Sequence, residues 1–158
     1  MSLKNIVQFV LISIIPCLFF ACGGDHSGHG HAHKPMFGGV LVQLGDHAHN
    51  LEILHDKDAG KLDLYILGGH AAKVIKIAQA SISVNVETPG GETAVIEVPA
   101  QANELTNETV GDTSHFSVTH NSLKTTGALK GTVQKIEAQG AVYEQVAFNL
   151  NTDHDHSH

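Results

Sequence analysis

SISVNVE, residues 81–87, and TAVIEVP, residues 93–99, flank the pentapeptide TPGGE, residues 88–92. In the first run Ile82, Val84 and Val86 alternate with Ser83, Asn85 and Glu87, so one face is apolar and the other wet, the period-2 pattern of a half-buried strand. The Pro-Gly-Gly between the runs supplies turn conformations that a strand interior refuses. The stretch predicts an antiparallel hairpin, whose apolar face needs more strands to cover it.

Those strands are available on both sides. Upstream, GGVLVQLG, HNLEILH, KLDLYILG and AKVIKI are short and rich in β-branched residues, and GDHAHN, HDKDAG and GGHA punctuate them as turns. Downstream, a polar linker AQANELTNETVGD precedes HFSVTH, in which Phe116 and Val118 share a face. LKGTVQKIEA and AVYEQVAFNL follow, joined at Gln139-Gly140. Val142, Val146, Phe148 and Leu150 have one parity and predict a common inward face. NSLKTTGAL has room for one helical turn before Gly127, and no longer helix is supported. About eight short antiparallel strands at this spacing predict an all-β fold. The expectation is a single β-sandwich, immunoglobulin-like, over residues 36–150, with a small β-barrel as the alternative. Aromatic residues are only 5% of the 158, with no Trp, so Val, Ile, Leu and Ala must fill the core.

The ends have a different character. Lys4 and the apolar run IVQFVLISIIPCLFFA, interrupted by Pro16, are too short for a spanning helix and read as a signal h-region over residues 1–21. FFACGG resembles the bacterial lipoprotein box, which implies lipidation of Cys22 after cleavage behind Ala21. Cys17 leaves with the signal, so the mature chain keeps neither a free thiol nor a disulfide. Residues 22–35, with GGDHSGHGHAHKP at their core, offer no apolar face and predict a flexible tether. Residues 151–158, NTDHDHSH, predict a disordered His/Asp tail.

Thirteen histidines occur in the chain, seven of them in these two runs: His26, His29, His31 and His33 in the tether, His154, His156 and His158 in the tail. A free imidazole, with an ordinary pKa of about 6.5, is largely neutral at pH 7 to 8 and offers a lone pair to a borderline metal. Glycine and alanine spacers let rings converge on one ion, and Asp153 and Asp155 add carboxylates to the tail. Within the strand region, His47 and His49 are two apart and project to one side if their backbone is extended. They either bite one ion or hydrogen-bond locally. His55 shares their parity and His70 lies in a turn; for these, and for His115 and His120, local hydrogen bonding is the simpler expectation. With no thiolate and Met36 as the one mature methionine, the ligand set suits divalent Zn, Cu, Ni or Co rather than Cu(I). Ordering a mobile chain around an ion costs conformational entropy, so binding is expected to be reversible and of modest affinity.

MFGGVLVQLGDHAHNLEILHD, GKLDLYILGGHA, GTVQKIEAQGAVYEQVAFNL and the His-Asp tail together resemble a recurring bacterial β-domain. It is similar to small histidine-rich envelope lipoproteins and to domains attached to periplasmic adaptors of heavy-metal efflux systems, over most of residues 31–158. The resemblance implies a metal-handling role in the bacterial envelope, facing the periplasm or the exterior, with a membrane, metal ions and a metal efflux system as partners. The adaptors' long coiled-coil hairpin has no counterpart in this sequence.

Other functions fit less well. The formal charge of −7 disfavours nucleic acid, which is bound by cationic surfaces. No HExxH, G-x-S-x-G or phosphate-cradling glycine motif occurs, so an enzyme is not expected. An envelope protein-interaction or assembly module with no metal role is the alternative reading.

Overall fold

The computed structural model describes residues 33–88 and 91–150. The chain divides into two units, Met1–His31 and Ala32–His158, and the described residues belong to the second. They form eight strands: β1 (Val40–Leu44), β2 (His49–Asp56), β3 (Lys61–Gly68), β4 (Ser81–Glu87), β5 (Thr93–Pro99), β6 (His115–Thr119), β7 (Leu129–Ala138) and β8 (Ala141–Leu150). Two antiparallel sheets result, ordered β1-β2-β3-β6 and β5-β4-β7-β8. The fold is the all-β sandwich that the alternation predicts. Its connectivity begins with a meander, β1, β2 and β3 lying in one sheet before the chain first crosses over.

The hairpin at 81–99 forms as read, with Ser81 opposite Pro99 and Glu87 opposite Thr93. Ile82, Val84 and Val86 are buried, against Leu51, Ile53, Leu62, Leu64, Ile66 and Phe116 of the other sheet within one core. The sheets meet at a seam. Beyond β5, Ala100 bridges to Phe116 and the Gln101 amide donates to the His115 carbonyl at 2.9 Å, so the end of β5 caps the edge strand β6.

Two strand expectations need correction. AKVIKI is not a continuous strand: Val74 bridges to Leu67 and Ile77 to Thr113, while Ile75 and Ile77 enter the core. The segment takes over the flank of β3 where β6, paired with residues 61–65, stops. Val142 does not face inward but is 55% exposed. On β7 the buried set passes from Leu129 and Val133 to Ile136 and Ala138, and on β8 from Tyr143 to Val146, Phe148 and Leu150. Both strands therefore change parity together beside Gln134 and Gln145, where Gln145 has φ 52° and its Nε2 donates to Gln134 Oε1 at 2.7 Å. Register is kept because the slip is matched on the two partners. The exchange turns Tyr143 inward in place of Val142. Elsewhere the helical potential of NSLKTTGAL is realised as one 3-10 turn, Asn121–Leu123.

Residues 33–39 run over the outer face of the first sheet as a strap. Gly38, at φ +85°, turns it into β1, and Gly39 lies so close to β2 that a Cβ there would stand 2.5 Å from the Ile53 carbonyl oxygen. The strap is held by Glu52, whose side chain points outward from β2 yet is 0% exposed. Its Oε2 accepts the Met36 amide at 2.7 Å, and its Oε1 accepts those of Phe37 and Gly39, both at 2.8 Å. Phe37 stacks on Tyr65 with ring centres 3.9 Å apart, and Tyr65 stacks on His115 at 4.3 Å.

Candidate functional site

Of the candidate metal ligands, Cys22's neighbours in the tether, His26, His29 and His31, lie outside the described residues, as do the tail's His154, His156 and His158 and the lipidation candidate Cys22 itself. His33, His47 and His49 are described, and all three belong to one end of the sandwich. That end is built from the β1–β2 loop at 45–48, the β3–β4 turn at 68–71 and the two-residue β7–β8 hairpin. In the hairpin Gln139 and Gly140 both have positive φ, at 51° and 87°, the mirror-image turn that suits twisted strands.

His49 opens β2 from the inner face and is 6% exposed. Its Nδ1 lies 2.8 Å from the Tyr143 hydroxyl and its Nε2 3.2 Å from Gln139 Oε1. Donation from Nε2–H to the Gln139 carbonyl leaves Nδ1 to accept the Tyr143 proton, which fixes the tautomer. Both nitrogens are thus committed to protein partners across the sandwich, and a metal would have to displace one of them. His47 does not project beside it. His47 sits at φ 58° in the turn and is exposed; left-handed backbone there breaks the extended geometry on which a same-side pair depends.

His33 meets His70 instead. Their ring centres are 5.6 Å apart and the planes cross at 69°. His70 occupies a tight turn in which the Ala71 amide donates to the Gly68 carbonyl at 2.8 Å. The buried Asn50 side chain locks that turn by donating to the carbonyls of Gly68, at 3.1 Å, and Gly69, at 2.9 Å. Gly69 packs so tightly on the β1–β2 loop that a Cβ there would lie 2.0 Å from the His47 carbonyl oxygen.

The other histidines are tied down locally. His55 Nε2 donates to the Leu123 carbonyl at 2.7 Å, His120 Nδ1 accepts the Ser122 amide at 3.2 Å, and His115 Nε2 donates to Asp63 Oδ1 at 2.9 Å. Two shallow hollows flank the sandwich. One, of about 510 Å³, is lined by Gly39, Ile53, His55, Lys61 and Leu150; the other, of about 480 Å³, by Lys76, Gln79, Glu137, Gln139 and Val142. Among the described residues no group of three or more His, Cys, Asp or Glu side chains converges as a metal cage. Nor is any helix among them long and apolar enough to cross a membrane.

No family model, curated protein or solved structure matches this chain.

Two carboxylates removed from solvent, Asp63 and Glu108, contribute to the acid sensitivity of the described domain, alongside the exposed Asp56, which the Ala59 amide also holds below its ordinary value. Burial raises the Asp63 pKa, but hydrogen bonds from Lys61, Ser117 and His115 and the Lys61 charge outweigh it and hold the group below its ordinary 3.8. Burial likewise works against Glu108, while Ser114, Thr106 and the Lys76 charge bring it below 4.5. A depressed folded-state pKa means that the unfolded chain binds protons first. The stability these groups contribute is therefore present above their ordinary values and lost as pH falls through the lower folded ones. Urea midpoints measured from about pH 5 down to pH 2 should fall, and Asp63→Asn with Glu108→Gln should flatten that fall while lowering stability at neutral pH. An unaltered acid slope in the double variant would exclude these two groups as its source.

Proposed function

We propose that this chain is a lipid-anchored protein of the bacterial envelope that binds divalent transition metals reversibly through its histidine runs, for buffering, delivery or efflux. Acyl groups on Cys22 would hold it at a membrane, and the resemblance noted in the sequence implies a metal efflux system as a partner. One observation carries the reading: seven of thirteen histidines stand in two short runs at residues 26–33 and 154–158, spaced by Gly, Ala, Ser and Asp. Such spacers leave the rings free to converge. The negative formal charge of −7 adds a long-range attraction for cations.

Isothermal titration of the mature protein, with Cys22→Ser in place of the lipid, tests it against Zn²⁺, Cu²⁺ and Ni²⁺. Uptake of more than one ion is expected at about pH 7.5, with a steep loss near pH 5.5 as protons compete for the imidazoles. Replacing His26, His29, His31, His154, His156 and His158 with Ala should remove most of that uptake. Unchanged uptake in the six-alanine variant, or none in the parent, overturns the proposal and leaves the protein-interaction module as the better reading.

A further inference from the structure

We propose that His33 and His70 form a folded two-imidazole site for a divalent transition cation, at the end of the sandwich where the histidine-bearing strap joins it. This inference rests on the metal-binding reading for its ligand class but concerns a residue, His70, that lies outside both histidine runs.

The two rings meet edge to face, and their separation also fits two ligands around one ion. With a Zn–N bond of about 2.0–2.1 Å, an imidazole's ring centre stands about 3.2 Å from the metal, and two rings at the tetrahedral angle have centres about 5.2 Å apart. The observed separation is 5.6 Å, which corresponds to an angle at the ion of about 120°. The ring planes cross at 69°. Ring lone pairs lie in the ring plane, so crossed planes let two of them meet at a point between the rings, whereas parallel rings such as Tyr65 and His115, 2° apart, hold theirs in separate layers.

The backbone that carries both ligands is held in place. The Asn50 amide fixes the two carbonyls that precede His70, those of Gly68 and Gly69, and the three amides gripped by Glu52 fix the strap from three residues beyond His33. A site assembled before the ion arrives gives up less conformational freedom on binding than free tail segments do. Two imidazoles leave the remaining positions of a four-coordinate ion to water or to a further donor, so the bound cation stays exchangeable. Zn²⁺ and Cu²⁺, which accept paired imidazoles, are the ions this pair fits.

The test uses the six-alanine protein described above, which keeps His33 and His70. One residual Zn²⁺ site is expected by titration, and substoichiometric Cu²⁺ should selectively broaden the backbone amide signals of Gly69, His70, Ala71 and Lys34. Adding His70→Ala should weaken the residual site at least tenfold and abolish the broadening at 69–71; His33→Ala should do the same. Because His70 is exposed, the remaining amide spectrum should be unmoved, which separates ligand loss from misfolding. If His70→Ala leaves affinity and broadening as they were, or if the six-alanine protein binds no Zn²⁺, the rings merely touch edge to face and the inference is overturned. The tail reading survives either of these results. Retention of full uptake by the six-alanine protein, lost with His70→Ala, would uphold this site while overturning the tails.

Discussion

Replacing Glu52 with Ala is expected to lower the stability of the sandwich by about 2–4 kcal/mol, the scale of losing hydrogen bonds to a charged acceptor at about 1–3 kcal/mol for each donor left unsatisfied. Glu52 is wholly buried, and its two oxygens terminate the amides of Met36, Phe37 and Gly39. Truncation takes the acceptor from three part-buried donors at once. Each orphaned group costs about 1–3 kcal/mol unless it reaches water, and the exposed strap gains that water most readily by lifting from β2. Lifting in turn unstacks Phe37 from Tyr65, an aromatic pair worth about 0.5–1.5 kcal/mol beyond its buried area. Glu52→Gln should not rescue the protein, because an amide offers one acceptor oxygen and turns an NH₂ donor toward a backbone donor. Urea unfolding with a lowered midpoint, together with fast hydrogen exchange at residues 36–39, is the expected result. A native midpoint with protected strap amides would show that the carboxylate is dispensable. The same variant should weaken the His33–His70 pair, since His33 is carried by the strap.

The second large effect is expected at Phe116. Among the described residues it is the largest of the fully buried side chains, and it stands on β6, where Ala100 bridges to it from the extension of β5. Phe116→Ala removes the ring from the core at the seam where the two sheets are sewn together, and Phe→Ala in a core typically costs about 3–5 kcal/mol. Phe116→Leu, which refills part of the volume, should recover more than half of that loss. Equal destabilisation by Ala and Leu would mean that the ring's shape, rather than its bulk, holds the seam.

Much of this architecture is legible in the residues. The alternation of Ile82, Val84 and Val86 gave the hairpin its face, and the glycine-marked turns bounded most strands, because a half-buried sheet writes its geometry into side-chain polarity every second residue. What stayed hidden was whatever depends on backbone conformation or on distant partners. Val142 reads as core only while the alternation is taken to be unbroken, and nothing about Gln134 or Gln145 announces a matched change of parity. AKVIKI has the composition of a strand, yet after Ile66–Gly68 it finds only isolated bridging partners. The pairing of His47 with His49 assumed extended backbone, which φ 58° at His47 denies.

The candidate site was less legible than the fold. His33 stood out through its run and His70 only as a turn residue, since the contact joining them spans 37 positions and passes through the strap. Glu52 is the plainest omission. A glutamate facing outward from a strand reads as solvated, and its partners are main-chain amides, which leave no trace in side-chain chemistry. The Gly38-Gly39 pair was the available signal, because two glycines before a strand mark a place where backbone must bend and approach closely.

The strap brings the described chain in beside His70, whereas its last residue, Leu150, borders the hollow with Gly39 and His55 at the opposite pole. β2, with eight residues, runs between these poles and sets them about 23 Å apart, at roughly 3.3 Å per residue. That spacing is almost three times the distance of about 8 Å over which physiological salt lets one charge feel another. A cation held at the proposed His33–His70 site would therefore add little repulsion at the Leu150 pole, whose electrostatics stay those of the metal-free domain.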